Sequence, residues 1–294
     1  MEFKDAETRI QSLTIWNGDI EIKPLGGGRT NLNFTVTDSC CTTVVRFGED
    51  LPEHQVLRFN ELAASRAAHA AGISPAVIYA ESDMAVIEYI KSHTLDEPDV
   101  QNADMLARIV PLVKRCHTEM PKHIRGPSII SWVFHIMNDY IAQMQKMNSP
   151  YAAKLGEYGR ICQELADNSG PYDMVYGHND LVAANFLDDG TRLWLIDWDY
   201  AGFNTPLFDL GGLASNNSLN EAHENLMLEL YFDGPITDEL RHRYLAMKTA
   251  SLLKESMWSM VSEQTSKLSG IDFAGYTAEN IGRFERAYEV YKQS

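Results

Sequence analysis

Across residues 53–71 apolar side chains recur at helical spacing: Val56, Phe59, Leu62, Ala63, Ala67 and Ala70. Gly72 follows where a helix would end on a C′ glycine. On either side the period shortens. Residues 33–37 and 42–47 are β-prone runs about the polar turn Asp38-Ser39, and 76–80 and 84–90 predict a hairpin about Glu81-Ser82-Asp83. Beyond Ile90 the texture turns helical, with segments expected near 103–120, 129–147, 151–168, 220–232, 238–267 and 277–292. A short β patch interrupts them at 174–176, 185–187 and 193–196, the last two closed by the turn Asp188-Asp189-Gly190. The expected architecture is α+β: a small β-rich N-terminal lobe over residues 1–90 and a larger, mostly helical lobe over 91–294. The join near 90–96 is where a ligand cleft would form.

Charge narrows the function classes. The 294 residues carry 41 Asp and Glu against 25 Lys and Arg, a formal net charge of −16. Such a field repels nucleic-acid phosphates and anionic lipid and attracts small cations, so neither nucleic acid nor a membrane surface is the expected partner. No apolar run approaches the roughly 18 residues of a membrane span, so no membrane insertion is expected. Met1-Glu2-Phe3-Lys4-Asp5 lacks a hydrophobic signal core, which predicts a cytoplasmic protein. Cys40, Cys41, Cys116 and Cys162 form no C-x-x-C pair and read as reduced thiols.

The strongest chemical signal is His178-Asn179-Asp180-Leu181-Val182-Ala183-Ala184-Asn185, with Asp197 ending the apolar run Leu193-Trp194-Leu195-Ile196. The spacing matches the kinase catalytic loop and its second metal-binding acid. Phosphoryl transfer needs one carboxylate to orient the incoming hydroxyl and accept its proton, here Asp180. It also needs hard oxygen ligands for Mg²⁺, which Asn185 and Asp197 would supply. A polar turn before a hairpin could account for one such residue, but not for all four at these spacings.

Two weaker signals lie upstream. Gly26, Gly27 and Gly28, with Thr30 and Asn31, form a glycine-rich segment before a strand, able to bring backbone N–H groups close to phosphates. Arg46 ends a strand and Glu61 lies within the predicted helix, an arrangement in which a strand cation grips phosphates and a helix carboxylate holds it. Alone, that pair would read as a surface ion pair contributing about 0–1 kcal/mol.

The segments 26–36, Val44-Val45-Arg46, Asn60-Glu61, Gly72-Ile73-Ser74-Pro75, Glu88-Tyr89-Ile90, 178–185 and 196–202 together resemble the choline/ethanolamine kinase family, within the wider group of aminoglycoside-phosphotransferase-like small-molecule kinases. The resemblance spans about residues 20–265 and is strongest to bacterial choline kinases of lipid or surface-glycan modification. It implies a two-lobed protein-kinase-like fold, ATP and Mg²⁺ as cofactors, and a small cationic alcohol as substrate, most readily choline. By that resemblance Asp180 would be the base, Asn185 and Asp197 the Mg²⁺ ligands, and Arg46, held by Glu61, an ATP-phosphate contact. Gly26–Gly28, Thr30 and Asn31 would cover the phosphates, backbone groups of Glu88 and Ile90 would meet adenine, and Asp209 would brace the catalytic loop.

The same resemblance places Tyr200 and Trp258 at aromatic positions of a choline site, where ring faces hold a quaternary ammonium. Trp198 would line the wall or pack beneath it. Glu255 stands where some members carry a second tryptophan, a carboxylate able to attract a cation or accept from a primary ammonium. Ethanolamine, aminoglycosides and thiamine are the alternative acceptors, and an inactive nucleotide-binding scaffold is the alternative of another class. Protein kinase activity is disfavoured because the chain passes from Asp197 to the Phe208 region without an activation segment. A homodimer is compatible with this reading.

Overall fold

The computed structural model describes residues 3–26, 31–171, 173–266 and 272–294. Its N-terminal part is a five-stranded antiparallel sheet: β1 (Glu21–Leu25), β2 (Leu32–Thr37), β3 (Thr42–Phe47), β4 (Val77–Ala80) and β5 (Met84–Glu88), in the order β1-β2-β3-β5-β4. Strand alternation sends Phe34, Val36, Val45, Phe47, Met84 and Val86 to one face, where they meet Ala6 and Ile10 of α1 (Phe3–Ser12) in a core of their own. Neither α1 nor β1 is evident from the pattern. The helix buries only those two residues, and the strand has almost no buried side chain.

The helix expected from residue 53 starts later, as α2 (Arg58–Ala70). Pro52–His54 form a separate 3₁₀ turn, and Gln55 takes a left-handed φ of 59° that breaks the helical path. At the other end Gly72, at φ 69°, completes a Schellman motif, with Gly72 N–H bonding to His69 O and Ile73 N–H to Ala68 O. The apolar face of α2, Ala64, Ala67 and Ala68, and its C-cap Ala71 pack into the core of the larger lobe. This helix therefore ties the sheet to the rest of the molecule.

The remainder is largely helical. After β6 (His93–Thr94) come α3 (Glu97–Val100), α4 (Ala103–His123), α5 (Val133–Lys146) and α6 (Leu155–Asp167). Next are β7 (Val175–Gly177), β8 (Phe186–Asp188), β9 (Leu193–Leu195), β10 (Gly202–Asn204), α7 (Pro206–Asn216), α8 (Glu221–Phe232), α9 (Asp238–Thr265) and α10 (Phe273–Lys292). In α4, Leu106, Ile109, Val110, Val113, Cys116, His117 and Met120 form one buried stripe, and the Asn102 side chain caps its first turn. Residues 129–132, expected as helix, are instead extended. They pair with β10 through Phe203 N–H to Ile129 O and Ser131 N–H to Phe203 O. Phe284 and Tyr291 of α10 are buried against the large core, so this helix packs rather than projects. Among the described residues no helix is long and apolar enough to cross a membrane.

Two hairpin-like pairings position the site. β8 and β9 are antiparallel, with Phe186 opposite Leu195, and β6 extends them in a three-stranded sheet. Asp189 stabilises the turn by accepting from the N–H groups of Thr191 and Arg192 and from Trp194 Nε1. β7 pairs with β10, placing Gly177 opposite Gly202.

Candidate active site

The segment between β7 and β8 is built around a buried carboxylate. Asp209, on α7, accepts the backbone N–H of His178 at 2.8 Å and of Asn179 at 2.6 Å, and His117 Nε2 lies 2.9 Å away. Burial pushes the Asp209 carboxyl upward, but the His117 hydrogen bond and the peptide N–H donors outweigh it and keep the group ionised. Asn179 adopts a left-handed φ of 65° and donates through Nδ2 to Tyr200 O and Gly202 O, tying this loop to the one after Asp197. His178 is buried, and burial lowers its basicity. As the neutral ring its Nε2 donates to Ile196 O at 2.9 Å, while Nδ1 accepts from Asp180 N.

Asp180 is thereby held at the loop's apex, partly exposed. Burial of its carboxyl in the cleft raises its pKa to about 7, opposed by the charge of Lys254 and reinforced by Glu255, Asp197 and Asp199. A carboxylate near neutrality is matched to accepting a proton at ordinary pH. Asn185 closes the 3₁₀ turn before β8, rather than opening the strand as expected, and its Nδ2 donates to Asp180 O at 2.9 Å. Its amide oxygen is then the atom left for a ligand. Asp197 follows β9 at a left-handed φ of 69°, a conformation that costs a non-glycine residue about 1–3 kcal/mol and recurs at functional sites. The pairing of Ile196 N–H to Asn185 O holds these two segments side by side. An amide oxygen and a carboxylate are donors that fit Mg²⁺.

Facing them is an ion-pair network larger than the pair expected from sequence. Arg46 Nη2 lies 2.9 Å from Asp197 Oδ1 and 2.8 Å from Asp199 Oδ2, and its Nε lies 3.1 Å from Glu61 Oε1. Arg58, not anticipated, bridges Glu61 at 2.6 Å and Asp199 at 2.8 Å through Nη1. Asn31 donates to Asp199 Oδ2 at 3.2 Å. Burial pushes the Asp197 carboxyl up, but Arg46 overcomes this and holds it below its ordinary value; for Glu61 burial prevails and the pKa is raised. Arg58 Nη2 and Asn31 Oδ1 are buried without a hydrogen-bond partner among the described residues. The unsatisfied guanidinium N–H groups fit an anionic group such as a nucleotide phosphate.

Gly48 is required for this crowding. A Cβ there would fall 2.4 Å from Asn31 Oδ1 and 2.8 Å from Arg58 Cζ. Arg58 cannot yield freely, because its Nε also donates to Glu49 O. Gly48→Ala is expected to destabilise the protein by about 1–3 kcal/mol and to raise the KM for ATP. Thermal unfolding and steady-state kinetics would check this.

Gly27, Gly28 and Thr30 lie outside the described residues; Gly26 is exposed at the end of β1. Glu88 ends β5 with its N–H donated to Ala76 O, which leaves its carbonyl as the group free for a base, and Ile90 O accepts from Ser92 Oγ. Trp198 does not line an acceptor wall. It is 2% exposed, packs on the His178 ring with centroids 4.7 Å apart, and donates its indole N–H to Ser74 Oγ. Tyr200 and Trp258 do come together, Trp258 Nε1 donating to Tyr200 Oη at 2.9 Å. They do not form an open cage: His54 lies against Trp258 at 5.0 Å, and the Lys254 ammonium sits 4.8 Å from the centre of the Tyr200 ring. Glu255 accepts from Tyr276 Oη at 2.7 Å. His54, Tyr140 and Ser262 complete this layer, with His54 within 3.2 Å of Tyr140 Oη and 3.0 Å of Ser262 Oγ.

A small sheet lobe, a helical lobe and a His-x-Asp loop facing a strand arginine define a two-lobed, protein-kinase-like class of protein. Within that class the chain belongs to the choline/ethanolamine kinase family, whose model matches residues 22–244. It is 25% identical over 210 residues to the LicA protein of Haemophilus influenzae, a match covering 70% of this chain and 61% of that protein. To a probable ethanolamine kinase of Arabidopsis thaliana it is 24% identical over 304 residues, covering 92% of this chain and 79% of the other. The crystal structure of a choline/ethanolamine kinase family protein from Mesorhizobium loti superposes with a TM-score of 0.78 at 25% identity, covering 100% of this chain and 96% of that one.

Proposed function

We propose that this protein transfers the γ-phosphate of ATP to the hydroxyl of a small amino alcohol. The observation that carries the proposal is the convergence of Asp180, Asn185 and Asp197 opposite the Arg46–Glu61 pair. Asp180 would orient the hydroxyl and accept its proton. Arg46 and Arg58 would receive the phosphates, once their acidic partners are shared with the nucleotide. Asn185 and Asp197 would hold Mg²⁺, which when bound supplies neutralisation of the phosphate charge.

Choline is the acceptor expected from sequence, and the match to the choline/ethanolamine kinase family supports a choline or ethanolamine acceptor. Ethanolamine is the second reading, favoured by Glu255. Its carboxylate, beside Tyr276 Oη, can accept hydrogen bonds from a primary ammonium but not from a trimethylammonium. The test is ADP release with ATP and Mg²⁺ across choline, ethanolamine, thiamine and kanamycin. Turnover dependent on choline or ethanolamine is expected. Nucleotide binding without turnover of these four would favour an acceptor outside the panel or the inactive scaffold, and absence of nucleotide binding would overturn the kinase reading.

A further inference from the structure

The acceptor side of the cleft already contains a cation. Lys254, on α9, is 8% exposed, and its ammonium rests 4.8 Å from the Tyr200 ring centre. Its nearest carboxylate, Glu255 Oε2, is 3.6 Å away, beyond hydrogen-bonding distance. A primary ammonium has three N–H donors, and among the described residues none of these three makes a hydrogen bond. Nζ is not closed off from solvent, so its three donors are open to a ligand, and an anionic oxygen group is the partner that matches their charge. The charge of the ammonium also acts on the catalytic loop, where it opposes the rise in basicity of Asp180. A permanent cation seated on the same Tyr200 face would be repelled at short range in a poorly solvated site.

Adjacent to Lys254, Glu255 offers the opposite charge. Its Oε1 is held by Tyr276, and the side chain remains partly exposed. Cation and anion are thus presented side by side, next to the residue that would activate a hydroxyl. Resting on the kinase reading above, we propose that the acceptor is a zwitterionic amino alcohol, whose carboxylate meets Lys254 and whose amine meets Glu255. In the transfer the substrate hydroxyl oxygen forms a bond to the γ-phosphorus as the bond from that phosphorus to the β–γ bridging oxygen breaks. The hydroxyl proton passes to Asp180 and ADP leaves. The product is a phosphate monoester that keeps its amine and carboxylate.

L-serine is ethanolamine with a carboxylate added, and L-homoserine extends the same arrangement by one methylene, so the four compounds choline, ethanolamine, L-serine and L-homoserine isolate the feature. The experiment measures kcat/KM for each, with ATP and Mg²⁺, in the wild type, Lys254→Met and Lys254→Arg. The expected wild-type result is at least a ten-fold preference for one of the two zwitterions over both cations. Lys254→Met is expected to reverse that ratio by thirty-fold or more through the acceptor KM, raising kcat/KM for choline, while Lys254→Arg retains the wild-type order. Wild-type turnover of choline or ethanolamine, with neither zwitterion used, would overturn this proposal and leave the kinase reading standing. An equal fall in kcat for all four acceptors in Lys254→Met would also overturn it, placing Lys254 on the transferred phosphoryl group instead. Absence of turnover with every acceptor would overturn both readings. The wild-type series decides the matter even if a variant fails to fold.

Discussion

Asp180→Asn is expected to remove turnover while making the protein more stable at pH 8. Loss of a positioned base lowers a rate by about 10²–10⁴-fold, and here the loss should fall on kcat, because the amide can still align a hydroxyl but cannot accept its proton. The stability gain has a separate origin. Burial raises the Asp180 pKa from 3.8 to about 7, so the folded state binds this proton more tightly than the unfolded chain does. Below pH 3.8 both states are protonated and the group is neutral to stability. Between there and pH 7 the unfolded chain ionises first, and folding is progressively penalised. Above pH 7 the penalty is complete, at roughly 4 kcal/mol for a shift of this size.

Asparagine carries no such penalty. Unfolding of metal-free wild type and Asp180→Asn by denaturant at pH 4 and pH 8 should therefore show curves close together at the lower pH and separated at the higher, the variant being the more stable. In the wild type, kcat/KM should rise with pH and level off above about 7. Equal stability at both pH values would mean that the carboxylate is not desolvated, and the pH–rate profile would then shift toward pH 4.

The parts of this site that are local in sequence were legible without coordinates. His178, Asp180 and Asn185 lie within eight residues, and Asp197 ends an apolar strand, so loop and hairpin chemistry alone brings them into register. Arg46 and Glu61 were legible because strand and helix periods put each on a defined element. Arg58, one turn before Glu61, was not, because its partner Asp199 is 141 residues away and nothing local distinguishes it from a surface arginine. The same holds for the layer around Tyr200 and Trp258. His54 meets Ser262 across 208 residues, and the turn that carries it resembles the start of a helix. Lys254 is legible as a helical position, but whether a lysine there snorkels to solvent or is folded over a tyrosine depends on how α9 meets the loop after β9. Trp198 was the ambiguous residue, and the reversal of the chain at Asp197 turned it toward Ser74 and the core. Elements with little burial, such as α1 and β1, or of only three residues, such as β10, leave almost no periodic trace.

Arg46→Met should produce the largest loss of stability of any single change in the cleft. Arg46 lies within 3.1 Å of three carboxylates, Glu61, Asp197 and Asp199, and its side chain is only 12% exposed. Removing it leaves those acids with Arg58, which reaches Glu61 and Asp199 but makes no ion pair with Asp197 among the described residues. Uncompensated buried charge of this kind destabilises by about 3–5 kcal/mol. The sign of the pH dependence follows from Asp197. In the wild type Arg46 holds its pKa below the ordinary value, a stabilisation present above pH 3.8 and lost as the folded carboxylate is protonated at lower pH. In Arg46→Met burial acts alone, the Asp197 pKa rises, and the folded variant recovers stability as pH falls and the proton is taken up. The difference between wild type and variant should therefore be greatest near pH 8 and shrink toward pH 4. Arg46→Lys should lie between the two, because one ammonium cannot span three carboxylates as a planar guanidinium does. Denaturant unfolding across that pH range is the measurement. A difference independent of pH would assign Arg46 a packing role, whereas convergence at low pH, with a raised KM for ATP in both variants, would identify it as the counter-charge on which the acidic cleft depends.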